Sequence, residues 1–295
     1  MKKIVGLAAL FLMVFTVRAG AVSLIILYTN DLHVRLSRLE SLSRLIDQER
    51  ARADHILLLD AGDAWQDFRV PLYAVWGSEE MISWMNTAEY DAMALGNHDL
   101  YWGADRLAAL SAAADFPVLC ANLRATAGIA PPFAPYTVRH VSGLDVLLIG
   151  LITAEYLPCV DYPWLRYVQP GRAVGAVLQE VGGDFDLIVA VGHLSIDRAK
   201  KIVVAFPEID LFITGHSHEM TPEPIIVGET RIVQAGEFGE YLGRLRLEFD
   251  PESKRVVAAE NALLPTEKTS VQIGRGLFKL VETTLLVIGF LLLLL

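Results

Sequence analysis

Apolar residues follow two alternating rhythms along this chain. Short continuous runs, rich in Leu, Ile and Val, occupy 22–28, 56–60, 92–95, 146–152, 187–191 and 211–214. Such runs predict strands buried on both faces. Between them apolar residues recur at helical spacing: Leu36, Leu39, Leu42, Leu45 and Ile46, then Leu107, Leu110 and Ala113, then Val174, Val177, Leu178 and Val181. Strand and helix in alternation predict an α/β architecture. Beyond Thr221 the rhythm changes: 225–227, 231–234, 241–249 and 255–264 are strand-like with short turns between them, which predicts antiparallel strands closing the domain.

Both ends depart from this pattern. Lys2 and Lys3 precede an apolar run to Val17, and Ala19-Gly20-Ala21 has the small-x-small form of a cleavage site. Residues 1–21 are therefore expected to be a secretory signal, with an uncleaved anchor as the alternative. At the other end 280–295 is apolar apart from Glu282-Thr283-Thr284, joined to the body through a linker over 267–279. A membrane tether is expected there. The alternatives are a buried terminal helix or a chain that continues further. The catalytic domain is taken as 22–266, exported to a periplasmic or extracellular place.

The 295-residue chain carries a formal net charge of −10. An acidic, exported protein is a poor partner for duplex nucleic acid, whose phosphates are held by Lys and Arg. A small anionic substrate remains open where a bound cation dominates the local field. Two cysteines, Cys120 and Cys159, could close a single bridge, which the sequence leaves open.

Chemistry gathers where the predicted strands end. The first ends in Asp31-Leu32-His33, the second in Gly62-Asp63 and the third in Gly96-Asn97-His98-Asp99. Two later ones end in Gly192-His193 and Gly215-His216-Ser217-His218. Ligands of α/β sheets collect at the carboxyl ends of strands. Five of the seven histidines lie in these motifs, His55 and His140 being the others. Imidazole, carboxylate and amide donors suit zinc, manganese or iron. In extended backbone, residues two apart point the same way, so each Asp-x-His or His-x-His pair is expected to reach one site. The glycines beforehand allow tight turns. Trp65 and Trp102 are expected to line a substrate pocket, and Glu219 to orient a ligand histidine.

In this order the motifs resemble the calcineurin-like metallophosphoesterases. Residues 29–33, Thr-Asn-Asp-Leu-His, and 116–123, Phe-Pro-Val-Leu-Cys-Ala-Asn-Leu, resemble the 5′-nucleotidase and UDP-sugar hydrolase branch. The resemblance implies a four-layer α/β/β/α sandwich of two mixed sheets flanked by helices. It also implies two divalent metal ions. Asp31, His33 and His218 would hold one, Asn97, His193 and His216 the other, and Asp63 would bridge them. His98 would be the catalytic residue, stabilising the phosphoryl group or protonating the leaving oxygen. The implied activity is hydrolysis of a phosphate ester or phosphoanhydride by a hydroxide shared between the metals. Two cations about 3.5–4 Å apart clamp a phosphoryl group and acidify such a water. A small phosphorylated substrate and a monomeric state are expected.

Three features depart from that branch. Val34 stands where a glycine is usual. Tyr101 stands where an aspartate commonly partners the catalytic histidine, leaving Asp99 as the nearest group to support His98. The leucine tail follows where a second, substrate-gripping domain is usual. Hydrolysis of a sulfur-linked group at the same centre, and an inactive metal-holding binding protein, are the alternative readings.

Overall fold

In a computed structural model of the protein, the described residues are 20–53, 55–66, 71–126, 128–157 and 162–269. The expected signal and the apolar tail lie outside them, as does Cys159. Cys120 is a buried free thiol.

The chain runs β1 (Val22–Thr29), α1 (Leu39–Arg50), β2 (Ile56–Asp60), α2 (Pro71–Thr87), β3 (Ala92–Ala94), α3 (Ala104–Ala113), β4 (Val118–Leu119), β5 (Leu123–Ala125), β6 (Tyr136–Val141) and β7 (Leu144–Ile152). It continues with β8 (Leu165–Tyr167), α4 (Pro170–Val181), β9 (Leu187–His193), α5 (Ile196–Ala205), β10 (Leu211–Thr214), β11 (Ile225–Val227), β12 (Thr230–Val233), β13 (Tyr241–Asp250) and β14 (Arg255–Pro265). One six-stranded sheet has the order β14-β13-β1-β2-β3-β4, the other β11-β12-β10-β9-β7-β6. Both are mixed: β1 to β4 run parallel, as do β7, β9, β10 and β12, with antiparallel strands at the margins.

The strand pleat sorts side chains into layers. Leu24, Ile26 and Tyr28 of β1 face Val189, Val191, Leu211 and Ile213 of the second sheet, in a core between the sheets. Ile25 and Leu27 face the other way, onto Leu42 and Ile46 of α1, Met81 and Met85 of α2 and Leu107 of α3. Behind the second sheet, Leu147, Ile149 and Phe212 pack on Val174 and Val177 of α4 and Ile202 of α5. Four layers result, α/β/β/α. Helix α4 shows the local logic: Pro170 lies in its first turn, and Gly182 ends it in a left-handed conformation with φ +52°.

The strands after Thr221 do not form one antiparallel run. β12 lies parallel to β10 in the second sheet, while β13 and β14 join the first, β13 antiparallel to β1. Tyr28 pairs with Gly243 across β1 and β13, and its ring fills the space a Cβ at 243 would take. Among the described residues no helix is long and apolar enough to cross a membrane.

Candidate metal centre

The five motifs meet at one place. Asp31, Asp63 and Asn97 follow β1, β2 and β3 of the first sheet; His193 ends β9, and His216 and His218 follow β10 of the second. The centre therefore lies across the carboxyl ends of both sheets. The loops after β1 and β2 are laced together by Asp31 N to Gly62 O at 2.9 Å and His33 N to Asp63 O at 2.8 Å.

The backbone achieves this differently from the extended alternation expected. Asp31, His33, Val34, Asp63, His216 and His218 all have positive φ, between +46° and +69°. The left-handed region costs a non-glycine residue roughly 1–2 kcal/mol, so both paired motifs converge through strained turns. Val34, β-branched and fully buried at φ +56°, is the most costly of these. Gly96 serves by close approach: a Cβ there would lie 2.0 Å from Asp63 Oδ1 and 2.3 Å from Asp63 N.

Asp63 Oδ2 lies 3.1 Å from His193 Nε2, 3.8 Å from His33 Nε2 and 3.9 Å from His98 Nε2. Asp31 Oδ1 lies 3.1 Å from His218 Nε2, 3.8 Å from His33 Nε2 and 3.9 Å from His193 Nε2. Donor atoms of Asp31, His33 and His218 lie within 4.8 Å of one another, as do those of Asp31, Asp63 and His193 and those of His33, Asp63 and His98. Burial opposes ionisation of Asp31 and Asp63, yet His193 foremost among their neighbours holds both carboxyls below the usual range. Burial likewise opposes charging His193, but Asp63 and Asp31 outweigh it and push its pKa up to about 10. So much buried negative charge attracts a cation, and in its place a proton.

Side-chain anchoring fits a metal as well. His33 Nδ1 lies 3.3 Å from Gln66 O, and His193 Nδ1 lies 3.0 Å from Ala61 O. A carbonyl only accepts, so Nδ1 carries a hydrogen and Nε2 is left facing the carboxylates, where it holds a proton in the metal-free centre and would offer its lone pair to a cation. Asn97 Nδ2 donates to Tyr101 Oη at 3.0 Å. Its buried Oδ1 accepts no hydrogen bond among the described residues. A divalent cation is the partner such an oxygen lacks.

His98 lies at the edge of this cluster, its ring 4.7 Å from that of His33 and 4.7 Å from that of Tyr101. Its backbone N donates to Asp63 Oδ1 at 2.8 Å. Asp99 points elsewhere: its carboxylate accepts N–H groups from Asp63, Trp65 and Gly96 at 2.8–2.9 Å, tying two motif loops together. His216 is in none of the three groups, but its ring lies 5.2 Å from that of His193 and its backbone N donates to Asp31 Oδ2 at 3.0 Å, while its Nε2 lies 3.1 Å from Glu155 Oε2.

Other expectations need correction. Trp65 is fully buried in the helix-side core, whereas Trp102 is exposed. Glu219 is exposed, and its backbone oxygen accepts Gly236 N. The carboxylate on a motif histidine is Glu237, whose Oε2 lies 2.6 Å from His218 Nδ1. Glu155 follows the carboxyl end of β7, so the strand-end rule, extended to one more strand, finds it. Glu237 carries no such signal. The 116–123 motif has a structural part: Asn122 bonds both backbone groups of Ile152 at 2.8 Å, stitching the loop after β4 to β7.

The model of the calcineurin-like phosphoesterase family matches residues 24–220, taking in all five motifs. The chain belongs to that family. The chain is 30% identical to the 5′-nucleotidase of Homo sapiens over 290 residues, covering 83% of this chain and 50% of the relative. Its fold matches the crystal structure of a 5′-nucleotidase precursor from Thermus thermophilus with TM-score 0.72 and 26% identity, over 83% of this chain and 54% of that one. A calcineurin-like phosphoesterase from Bacillus subtilis shares the fold at TM-score 0.72 and 22% identity, over 84% of this chain and 94% of that one. The chain thus spans about half the length of the curated relatives it matches. The family uses divalent metal ions, and the clusters around Asp31 and Asp63 are this member's candidate ligands for them.

Proposed function

We propose that this protein is an exported, dinuclear-metal hydrolase of phosphoric esters or anhydrides, acting on a small phosphorylated substrate of the nucleotide kind. The observation that carries the reading is the convergence of Asp31, Asp63 and His193, donor atoms within 4.8 Å, beside the unfilled oxygen of Asn97. Asp31, His33 and His218 would hold one cation. Asn97, His193 and His216 would hold the other. Asp63 would be shared, since Oδ2 faces both His33 and His193 while Oδ1 is occupied by the His98 backbone. With Nε2 of His216 taken by Glu155, ligation by His216 falls to Nδ1.

Two divalent cations bound there supply Lewis-acid charge for the phosphoryl oxygens and an acidified water. The side chains do the rest. Tyr101 fixes the amide of Asn97 so that its oxygen is the ligating atom. His98 supplies a proton to the departing oxygen, a step expected to contribute ~10²–10⁴-fold. Similarity to 5′-nucleotidases over most of this chain supports a nucleotide-like substrate, and the basic-then-apolar start of the sequence supports export.

The test is turnover by the full chain, stripped of metal and reloaded with manganese or zinc. Phosphomonoesters, phosphodiesters and nucleotide sugars would be assayed beside His98→Ala. Metal-dependent hydrolysis is expected, with the variant retaining its metal and losing most activity. No metal-dependent turnover on any of the three classes would sink the phosphoesterase reading; an unimpaired variant would remove His98 from it. Fractionation of cells with and without residues 276–295 tests the tether separately.

A further inference from the structure

The histidines of the centre are anchored in two ways. His33 and His193 are buried and rest Nδ1 on backbone carbonyls. His218 stands at the mouth, about a third exposed. Its Nδ1 meets Glu237 Oε2 at 2.6 Å instead, while Nε2 lies 3.1 Å from Asp31 Oδ1. The imidazole thus lies between two carboxylates, that of Glu237 and that of Asp31 in a second motif. The backbone around Glu237 is fixed as well. Phe238 N donates to Asp31 O at 2.7 Å, and Gly236 N donates to Glu219 O at 2.9 Å. The turn carrying Glu237 is therefore pinned to the loops of both the Asp31 and the His218 motifs. The Phe238 ring, 6.0 Å from that of His218 and 5.6 Å from that of His33, closes the side of the imidazole.

We propose that Glu237 is a positioning residue of the metal centre. It holds His218 as the Nδ1–H tautomer, aims Nε2 at the cation place beside Asp31, and makes the imidazole a stronger donor. The inference rests on the metal reading of the centre and adds a residue that lies outside the five motifs. Imidazole needs its second nitrogen held to act as an oriented ligand, and loss of such a partner typically weakens metal binding 10–100-fold. The effect is largest where burial does not already fix the ring, as at the mouth. Glu237 would act through His218, the side chain its carboxylate meets.

Metal affinity is the readout that separates this role from a structural one. The full chain, freed of metal by chelation, would be titrated with Mn²⁺ by equilibrium dialysis and with Co²⁺ by absorption spectroscopy. Wild type, Glu237→Ala, Glu237→Gln and the exposed neighbour Glu219→Gln would be compared, with thermal unfolding as the check on folding. Glu237→Ala should weaken one of two cation sites by roughly 10–100-fold, leave the other unchanged and alter part of the Co²⁺ spectrum. Glu237→Gln, of the same shape and still able to accept from Nδ1, should fall between and carries the test if the alanine variant fails to fold. Glu219→Gln should match wild type. At saturating Mn²⁺ most of the lost turnover should return. Wild-type affinity in both folded Glu237 variants would overturn the proposal alone. A wild type that binds no divalent cation would overturn the metal reading and this inference with it.

Discussion

Replacing Asp99 with alanine would untie the knot between the loops that carry Asp63 and Asn97. Three backbone N–H groups, those of Asp63, Trp65 and Gly96, donate to its two oxygens in a buried place. An unsatisfied buried donor costs about 1–3 kcal/mol, hence roughly 6 kcal/mol for the three. An opposing gain comes with it. Burial foremost, then the charge of Asp63, push the Asp99 carboxyl up to about 7 from an ordinary 3.8. A raised carboxyl stabilises the fold fully below its unfolded value, and that contribution is lost as pH rises towards the folded one. At about 1.4 kcal/mol per pH unit, ionisation costs the wild type roughly 4 kcal/mol by pH 7 and about 2 kcal/mol at pH 5. Asp99→Ala escapes that cost. The expected destabilisation is thus about 2 kcal/mol at pH 7 and about 4 kcal/mol at pH 5. Urea unfolding of metal-free protein at both pH values measures it, with exchange of the Trp65 and Gly96 amides as a local probe. A variant as stable as wild type at pH 5, or hurt more at pH 7 than at pH 5, would refute the reasoning.

Three further outcomes are expected. Gly243→Ala would set a Cβ 2.1 Å from the Tyr28 ring, which is fully buried, so overpacking should cost about 3 kcal/mol and lower the melting temperature; an unchanged melting temperature contradicts it. Asp210, pushed up to about 6 by burial, accepts Ile188 N at 2.8 Å, a bond Asn can keep. Asp210→Asn should therefore stabilise by about 1–2 kcal/mol at pH 7.5 and not at pH 4, read by denaturant titration at each pH. Burial opposes but Asp63 and Asp31 push the His193 pKa up to about 10 in the metal-free centre, so divalent cation uptake at pH 7 should expel a proton; binding enthalpy should vary with the ionisation enthalpy of the buffer, and no variation would mean His193 is already neutral at that pH.

The strands that deliver the centre were legible because parallel strands buried on both faces leave unbroken apolar runs ending in polar residues, as from Leu57 to Asp63. Helix α2 was not, since apolar residues surround it and leave no stripe to read. Partner choice was not either: β12 runs parallel to β10 and β13 antiparallel to β1, and nothing local distinguishes the two. Convergence of the motifs was legible from the strand-end rule, but its route through left-handed Asp31, His33, His216 and His218 was not, because positive φ stays uncommon even in Asp and His, the types that favour it. Glu237 lay beyond reach for another reason, since its contact with His218 exists only once β12 and β13 have brought its turn across the mouth.

The position of the centre across both sheets has a mechanical side. Apolar side chains such as Ile26 and Val191 resist separation of the two sheets, but slippery contact of that kind opposes sliding only weakly. With the proposed ligands coming four from the first sheet and three from the second, a bound cation would be a rivet at one edge of that sliding plane. Chelation would free shear at that edge while the far edge kept its register, so loss of the metal should be felt first as altered alignment of the donor atoms and only later as unfolding.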